Sequence, residues 1–87
     1  MWLFIMQVRR EGGTPRGISV WVEADDAGKA RAMASARLAE AGWTMIQIDD
    51  ETETKAGDYF RACPSQQAFL RAQQEGIAWR FDDELSD

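Results

Sequence analysis

The side chains in this sequence that could most readily take part in chemistry are carboxylates, and they form two clusters. They are Asp49, Asp50, Glu51 and Glu53, and Asp82, Asp83 and Glu84. Carboxylates at the ends of strands could hold a divalent cation or act as an acid/base pair. Their spacing does not fit an EF-hand loop, which needs ligands at alternating positions and a closing glutamate. We therefore interpret both clusters as a solvated acidic rim and predict no metal site.

The other residue types that commonly carry catalysis are scarce. The chain has no histidine, which is the commonest general base and metal ligand. Its single cysteine, Cys63, cannot form a thiolate dyad or a zinc site without histidine, and it fits a reducing compartment. Gly12 and Gly13 lack the helix that follows a phosphate-binding loop. The sequence therefore predicts no catalytic residue, no cofactor and a protein that is not an enzyme.

Composition limits the partners that this protein can have. The 87 residues suffice for one small domain, predicted to span 1–87. The formal net charge of −5 repels nucleic-acid phosphates and anionic membrane surfaces. The apolar run from Trp2 to Met6 is too short for the core of a signal peptide. We expect a cytoplasmic protein that contacts neither nucleic acid nor membrane directly.

The region 25–48 is predicted to organise the fold as a helix, a glycine stop and a strand. Asp25 is the expected N-cap, and Gly42 is the expected end of the helix. The strand is expected from Trp43 to Asp49. The apolar stripe of the helix recurs at spacings of three and four: Ala27, Ala30, Ala34, Leu38 and Ala41.

The N-terminal part is predicted to form an antiparallel hairpin. Its strands are expected from Met1 to Arg9 and from Gly17 to Glu23, joined by a loop that contains glycine and proline. A register that places Val8 opposite Ile18 gives one fully apolar face. That face comprises Phe4, Met6, Val8, Ile18, Val20 and Val22.

The C-terminal part resembles a second, weaker copy of the helix, glycine and strand unit. The polar segment from Asp50 to Gly57 is expected to be a loop or a ragged hairpin, and Asp58 to Ala62 a short edge strand. The second helix is expected to begin near Pro64 and to end at Gly76. The tail from Asp83 to Asp87 is expected to be frayed. The final strand is predicted from the alternation of Ile77, Trp79 and Phe81 with polar or small residues.

These elements predict an α+β domain with the order β-β-α-β-(β)-α-β. The economical arrangement is a mainly antiparallel sheet of about four or five strands with two helices on one face. The strand from Trp43 to Asp49 would lie parallel to that from Gly17 to Glu23 through a right-handed crossover. From Gly17 onward the order fits the ferredoxin-like plan, with the first strand as an added edge.

The sheet face that the helices leave open is the predicted binding surface. We expect Ile46 and Ile48 to face the first helix. Met45 alternates with them and is therefore expected on the open face. An apolar patch with a polar rim is typical of a contact site. The alternative is that the second helix or the segment 50–62 folds over this face and makes it core. The apolar members of the predicted surface are Leu3, Ile5, Trp21 and Met45.

The function hypothesis is a small acidic protein–protein interaction module of the inhibitor, immunity or adaptor type. It would bind another protein, expected to be basic, through this face and its acidic rim. One alternative is a structural protein that forms homodimers or larger homo-oligomers through the same face. Another is a small-ligand-binding regulatory domain. The rim residues assigned to partner binding are Asp49, Asp50, Glu51 and Glu53.

Overall fold

Four strands and two helices make up the part of the chain that the structure describes, which confirms the predicted α+β class. The computed structural model describes residues 1–55 and 64–82, with residues 64 and 65 described by their backbone alone. The elements are β1 (Trp2–Arg9), β2 (Arg16–Val22), α1 (Ala27–Glu40), β3 (Thr44–Glu53), α2 (Pro64–Glu75) and β4 (Ile77–Phe81).

The four strands form one sheet in the order β3-β1-β2-β4, and every neighbouring pair is antiparallel. β2 and β3 therefore run in the same direction, as predicted, but β1 lies between them. The first strand is central rather than an added edge, and the ferredoxin-like order is not confirmed. The physical reason is that β1 is apolar on both sides, with Phe4 on one face and Ile5 on the other, so it belongs inside the sheet.

The hairpin of β1 and β2 has the predicted faces but a register that differs by two residues. Met6, not Val8, lies opposite Ile18, and Val8 lies opposite Arg16. Because side chains alternate with a period of two, a shift of two leaves each residue on its predicted face. The connecting loop contains a turn in which the Gly13 N–H donates to the Arg10 carbonyl at 2.9 Å, and the ladder reaches Val8 and Arg16 on either side of this loop.

α1 packs on one face of the sheet through its alanine-rich stripe. Ala30, Ala34 and Leu38 are buried, whereas the predicted member Ala41 is exposed. Alanine side chains let the helix approach the sheet closely, and the larger sheet residues fill the remaining space. The buried sheet residues of this α1-side core are Phe4, Met6, Val8, Ile18, Val20, Val22 and Ile77.

The ends of α1 are fixed by local hydrogen bonds. The N-cap is Asp26 rather than Asp25, since the Asp26 carboxylate accepts from the Lys29 N–H at 2.8 Å. At the other end Gly42 has φ +89°, a left-handed conformation that favours glycine. The Trp43 N–H then donates to the Leu38 carbonyl at 2.8 Å, which folds the chain back on the last turn of the helix.

α2 packs on the opposite face of the sheet, so the prediction of two helices on one face is wrong. A separate core joins Trp21 and Ala78 of the sheet to α2. The reason lies in β2, which carries apolar side chains on both faces, so its second face also needs a cover. The α2 members of this core are Ala68, Phe69 and Ala72.

β3 is longer and less regular than predicted. It continues to Glu53, where a loop or a ragged hairpin was expected from Asp50, and the Thr54 N–H beyond it donates to the Met1 carbonyl at 2.8 Å. The β1–β3 register shifts twice, between Ile5 and Met6 and between Gln7 and Val8. Each shift places an extra residue on β3, as in a β-bulge.

The bulges reverse the predicted orientation of two β3 side chains. Ile48 packs on the α1-side core as expected, but so does Met45, which was predicted to face away. Ile46, predicted to face the helix, is 47% exposed. An extra residue changes which face the following side chains occupy, so simple alternation fails across it.

The C-terminal elements agree with prediction where they are described. α2 begins at Pro64, Gly76 follows it with φ +88°, and the alternating residues of β4 divide between the two faces. The predicted strand from Asp58 to Ala62, Cys63 and the tail from Asp83 to Asp87 lie outside the described residues.

Candidate interaction surface

Trp21, the centre of the predicted binding surface, is buried. It is 1% exposed and lies beneath α2, so the expectation that it faces solvent is wrong. Met45 is half-buried on the α1 side and is also absent from that face. The alternative considered from the sequence, in which the second helix makes this face core, is correct around Trp21.

The remaining apolar members of the predicted surface are only half-buried. Leu3 lies opposite Trp21 in the ladder and packs against the α2-side core. Ile5, two residues further along β1, lies opposite Asp50 of β3. The structure therefore places Ile5, but not Trp21, next to the acidic rim.

The four acidic residues assigned to partner binding all lie on β3, at one edge of the sheet formed by the described residues, and all are exposed. Met1 and Thr54 form a hydrogen-bonded pair. Alternation along an antiparallel ladder then directs the backbone groups of Glu51 and Glu53 away from β1. This acidic edge comprises Asp49, Asp50, Glu51 and Glu53.

Short-range contacts orient three of these carboxylates. Glu51 forms an ion pair with Arg31 of α1, with Nε and Oε1 separated by 3.2 Å. The Thr52 hydroxyl donates to the Asp50 carboxylate at 3.2 Å, and the Gln47 amide donates to Asp49. Asp50 lies opposite Ile5 and Glu51 opposite Phe4, so alternation places these two side chains on opposite faces of the sheet. Within residues 1–55 and 64–82, no group of three or more acidic side chains converges to hold a metal ion.

Ile46 adds an apolar side chain to the acidic edge. The first bulge of β3 displaces it from the core, and it stands three residues before Asp49. In the described part of the chain, the large hydrophobic side chains that are exposed are Ile46, at 47%, and Leu70 of α2, at 49%. Simple alternation predicted that Ile46 faces α1, because no glycine or proline stands next to Ile46 to mark the bulge.

The opposite edge of the sheet formed by the described residues is β4, and basic side chains lie along it. A groove of about 270 Å³ runs along it between the two helices. Arg37 of α1 borders one side and Arg71 of α2 borders the other. The sequence contained a signal for this arrangement, since each arginine stands five residues before the glycine that ends its helix. The lining residues are Arg37, Arg71, Glu75, Ile77, Ala78 and Trp79.

Aromatic and arginine side chains stack where β4 ends. The Trp43 and Phe81 rings lie 5.1 Å apart, centroid to centroid, at an interplanar angle of 53°. The Arg10 guanidinium lies 4.4 Å above Trp43, and that of Arg16 lies 3.9 Å above Phe81. Both rings pack with the α1-side core, and these cation–π contacts place two more basic groups near β4.

Comparisons with protein-family models, with curated proteins and with solved structures found no match to this chain. None of the helices in the described ranges is long and apolar enough to cross a membrane.

Proposed function

We propose that this protein is a small protein–protein interaction module whose β3 edge binds a basic surface on a partner protein. The observation that carries the proposal is the presence of exposed Ile46 on the same outer strand as four exposed carboxylates. An apolar side chain surrounded by charged groups matches the anatomy of a protein interface, which has an apolar centre and a polar rim.

The charges and the isoleucine would contribute in different ways. Carboxylates at the rim of an interface attract a basic partner and raise the association rate more than the affinity. Burial of Ile46 against the partner would supply affinity, because apolar area is removed from water. Ile5 lies beside Asp50 on the neighbouring strand and extends the surface towards Leu3. Trp21 and Met45 have no part in it.

Protection of a sheet edge also explains part of this arrangement. Charged side chains and β-bulges keep edge strands from pairing with other sheets. Protection alone would not favour an exposed isoleucine at the same edge, since an apolar side chain there promotes association. The combination of Ile46 with the acidic edge therefore supports a binding role in addition to protection.

The test is capture of a partner from the native lysate by the tagged protein, beside two variants. Ile46→Asp removes the proposed contact, and Leu70→Asp changes a side chain of similar exposure on α2, away from β3. We expect the wild type and Leu70→Asp to retain the same basic partner and Ile46→Asp to lose it. Raising NaCl from about 50 mM to about 500 mM should slow association, because salt screens exposed charges.

Two results would contradict the proposal. Retention of the partner by Ile46→Asp would show that the β3 edge is not the binding surface. Recovery of the protein alone, with a molar mass that rises with concentration in light scattering, would favour the homo-oligomer alternative.

A further inference from the structure

Within the described residues, the outer side of β4 has backbone hydrogen-bonding groups that no other strand pairs. The Glu23 N–H donates to the Gly76 carbonyl at 2.9 Å, which makes this the last hydrogen-bonded pair of the β2–β4 ladder. Alternation along the antiparallel register then directs the N–H and C=O groups of Ile77 and Trp79 away from β2. Among the described strands none pairs with β4 on that side. An extended chain could therefore hydrogen-bond there.

β4 lacks the features that protect β3. Its register with β2 has no bulge, and its side chains include no acidic residue between Ile77 and Phe81. A regular strand edge without such devices is suited to pairing with another strand. Its length of five residues limits the added strand to a short segment.

The two arginines that border the groove indicate the chemistry of that segment. Arg37 is bound through Nε to Glu40 at 3.6 Å, and Arg71 through Nε to Glu75 at 2.6 Å. Each guanidinium has four further N–H donors on its terminal nitrogens. Both side chains are more than half exposed, at 51% and 65%. They can therefore bind carboxylates from a partner while they remain attached to their own helices.

We propose that the β4 edge accepts an extended acidic segment of a partner protein, which adds to the sheet as a further strand. Adjacent side chains of an added strand point to opposite faces of the sheet. Two neighbouring carboxylates would thus reach Arg37 on the α1 side and Arg71 on the α2 side. The backbone bonds give affinity, and the two arginines select acidic sequences.

A second copy of the same chain fits this edge less well. Two-fold pairing of β4 with β4 would bring Arg37 and Arg71 of each copy to the same seam, where like charges repel. A partner's acidic segment instead complements both arginines. The site is on the opposite edge from the acidic β3 strand, so this inference does not depend on the proposed function.

The test uses a fluorescein-labelled peptide, acetyl-Thr-Val-Glu-Glu-Val-Thr-amide, titrated with the full chain and followed by fluorescence anisotropy. The double variant Arg37→Glu, Arg71→Glu should weaken binding by at least about fivefold, since two favourable pairs become repulsive. Arg31→Glu is the matched control, because Arg31 is also on α1 with a side chain 51% exposed but lies beside β3. We expect Arg31→Glu to bind within about twofold of wild type.

Two altered peptides separate strand addition from simple charge attraction. Replacement of both glutamates by lysine should abolish binding. Methylation of alternate backbone nitrogens keeps the charge but removes hydrogen-bond donors, and it should weaken binding strongly. Equal binding of the methylated peptide, or no binding of the original one, would overturn the proposal.

Amide hydrogen exchange locates the added strand directly. Peptide binding should slow exchange at Ile77 and Trp79, whose N–H groups point outwards, and leave Glu51 and Glu53 unchanged. Slowing at β3 instead would overturn the proposal. Protection of Ile77 and Trp79 that rises with protein concentration, without peptide, would assign the edge to a second copy and would likewise overturn it.

Discussion

The two outer strands of the described sheet, β3 and β4, differ in the features that limit pairing with other strands. β3 is ten residues long, acidic and twice bulged, whereas β4 is five residues long, regular and bordered by arginines. An exposed strand edge attracts other strands, and both charge and short length reduce that risk. Within the described residues, the long edge thus combines charge with irregularity, whereas the short edge has only its length to limit pairing.

α1 contributes to both edges, and α2 to one of them. Arg31 of α1 binds Glu51 on β3, and Arg37 of α1 borders β4. α2 forms the other wall of the β4 groove and is held by Trp21. Variants in α1, in α2 and in the residues that hold these helices should therefore affect the two edges differently.

The largest effect is expected for Trp21→Ala. Removal of a fully buried tryptophan should lower the free energy of unfolding by about 3–5 kcal/mol, because it leaves a cavity beneath α2. Urea denaturation followed by circular dichroism measures this loss. Trp21→Phe should cost less, since a ring still fills much of the space. A change within about 0.5 kcal/mol for Trp21→Ala would show that α2 does not cover this face.

The next effect is expected at the glycines that lead into the two edges. Gly42→Ala and Gly76→Ala should each cost about 1–2 kcal/mol, because both glycines have a positive φ that a Cβ disfavours. A Cβ at Gly42 meets no atom within 4 Å, and at Gly76 it meets only Met33 Cε at 4.0 Å. The costs should therefore be similar, and urea denaturation of the pair checks this. A loss of stability in only one variant would indicate that side-chain packing, rather than the positive φ, determines the cost.

A smaller effect is expected at the start of α1, which supports both edges. Asp26→Ala should cost about 1 kcal/mol, since it removes the acceptor for the Lys29 N–H. Asp25→Ala is the control and should cost less, because Asp25 makes only an exposed ion pair with Lys29 at 3.6 Å. Thermal denaturation of both variants measures the difference. The reverse order would restore the N-cap assignment made from the sequence.

The smallest effect on stability is expected when the acidic edge is neutralised. The combined variant D49N, D50N, E51Q and E53Q should have a free energy of unfolding within about 0.5 kcal/mol of the wild-type value, because all four side chains are exposed. Its tendency to self-associate should increase, since the edge loses its repulsive charge. Light scattering over a range of concentrations tests this. A strictly monomeric variant would mean that the bulges alone protect β3.

The sequence predicted local features well because they depend on neighbouring residues. The end of α1 at Gly42, the start of α2 at Pro64 and the alternation of β4 all follow from backbone preferences and apolar spacing. The apolar face of the hairpin was also correct, since a register error of two residues preserves it. The N-cap was missed by one position because Asp25 and Asp26 are chemically equivalent in the sequence.

Features that depend on distant partners were not predictable in the same way. Trp21 lies on the sheet face that strand alternation predicts, but no neighbouring residue indicates which helix covers that face. The bulges at Ile46 and Asp49 arise from pairing with β1, so the strand's own residues do not mark them. The four acidic candidate residues are exposed, as expected for a solvated rim, although three of them lie on a strand where none was predicted, and Trp21 and Met45 do not face solvent on the predicted side.

The position of β4 has a consequence for the order in which the chain can fold. Its pairing joins Trp21 to Ala78, residues that are 57 positions apart, whereas the β1–β2 hairpin closes through a short turn. Local pairings form first because they lose less entropy on loop closure. During synthesis, Trp21 must therefore remain uncovered until α2 and β4 have left the ribosome. Until then the new chain exposes a large apolar side chain, and such exposure promotes aggregation.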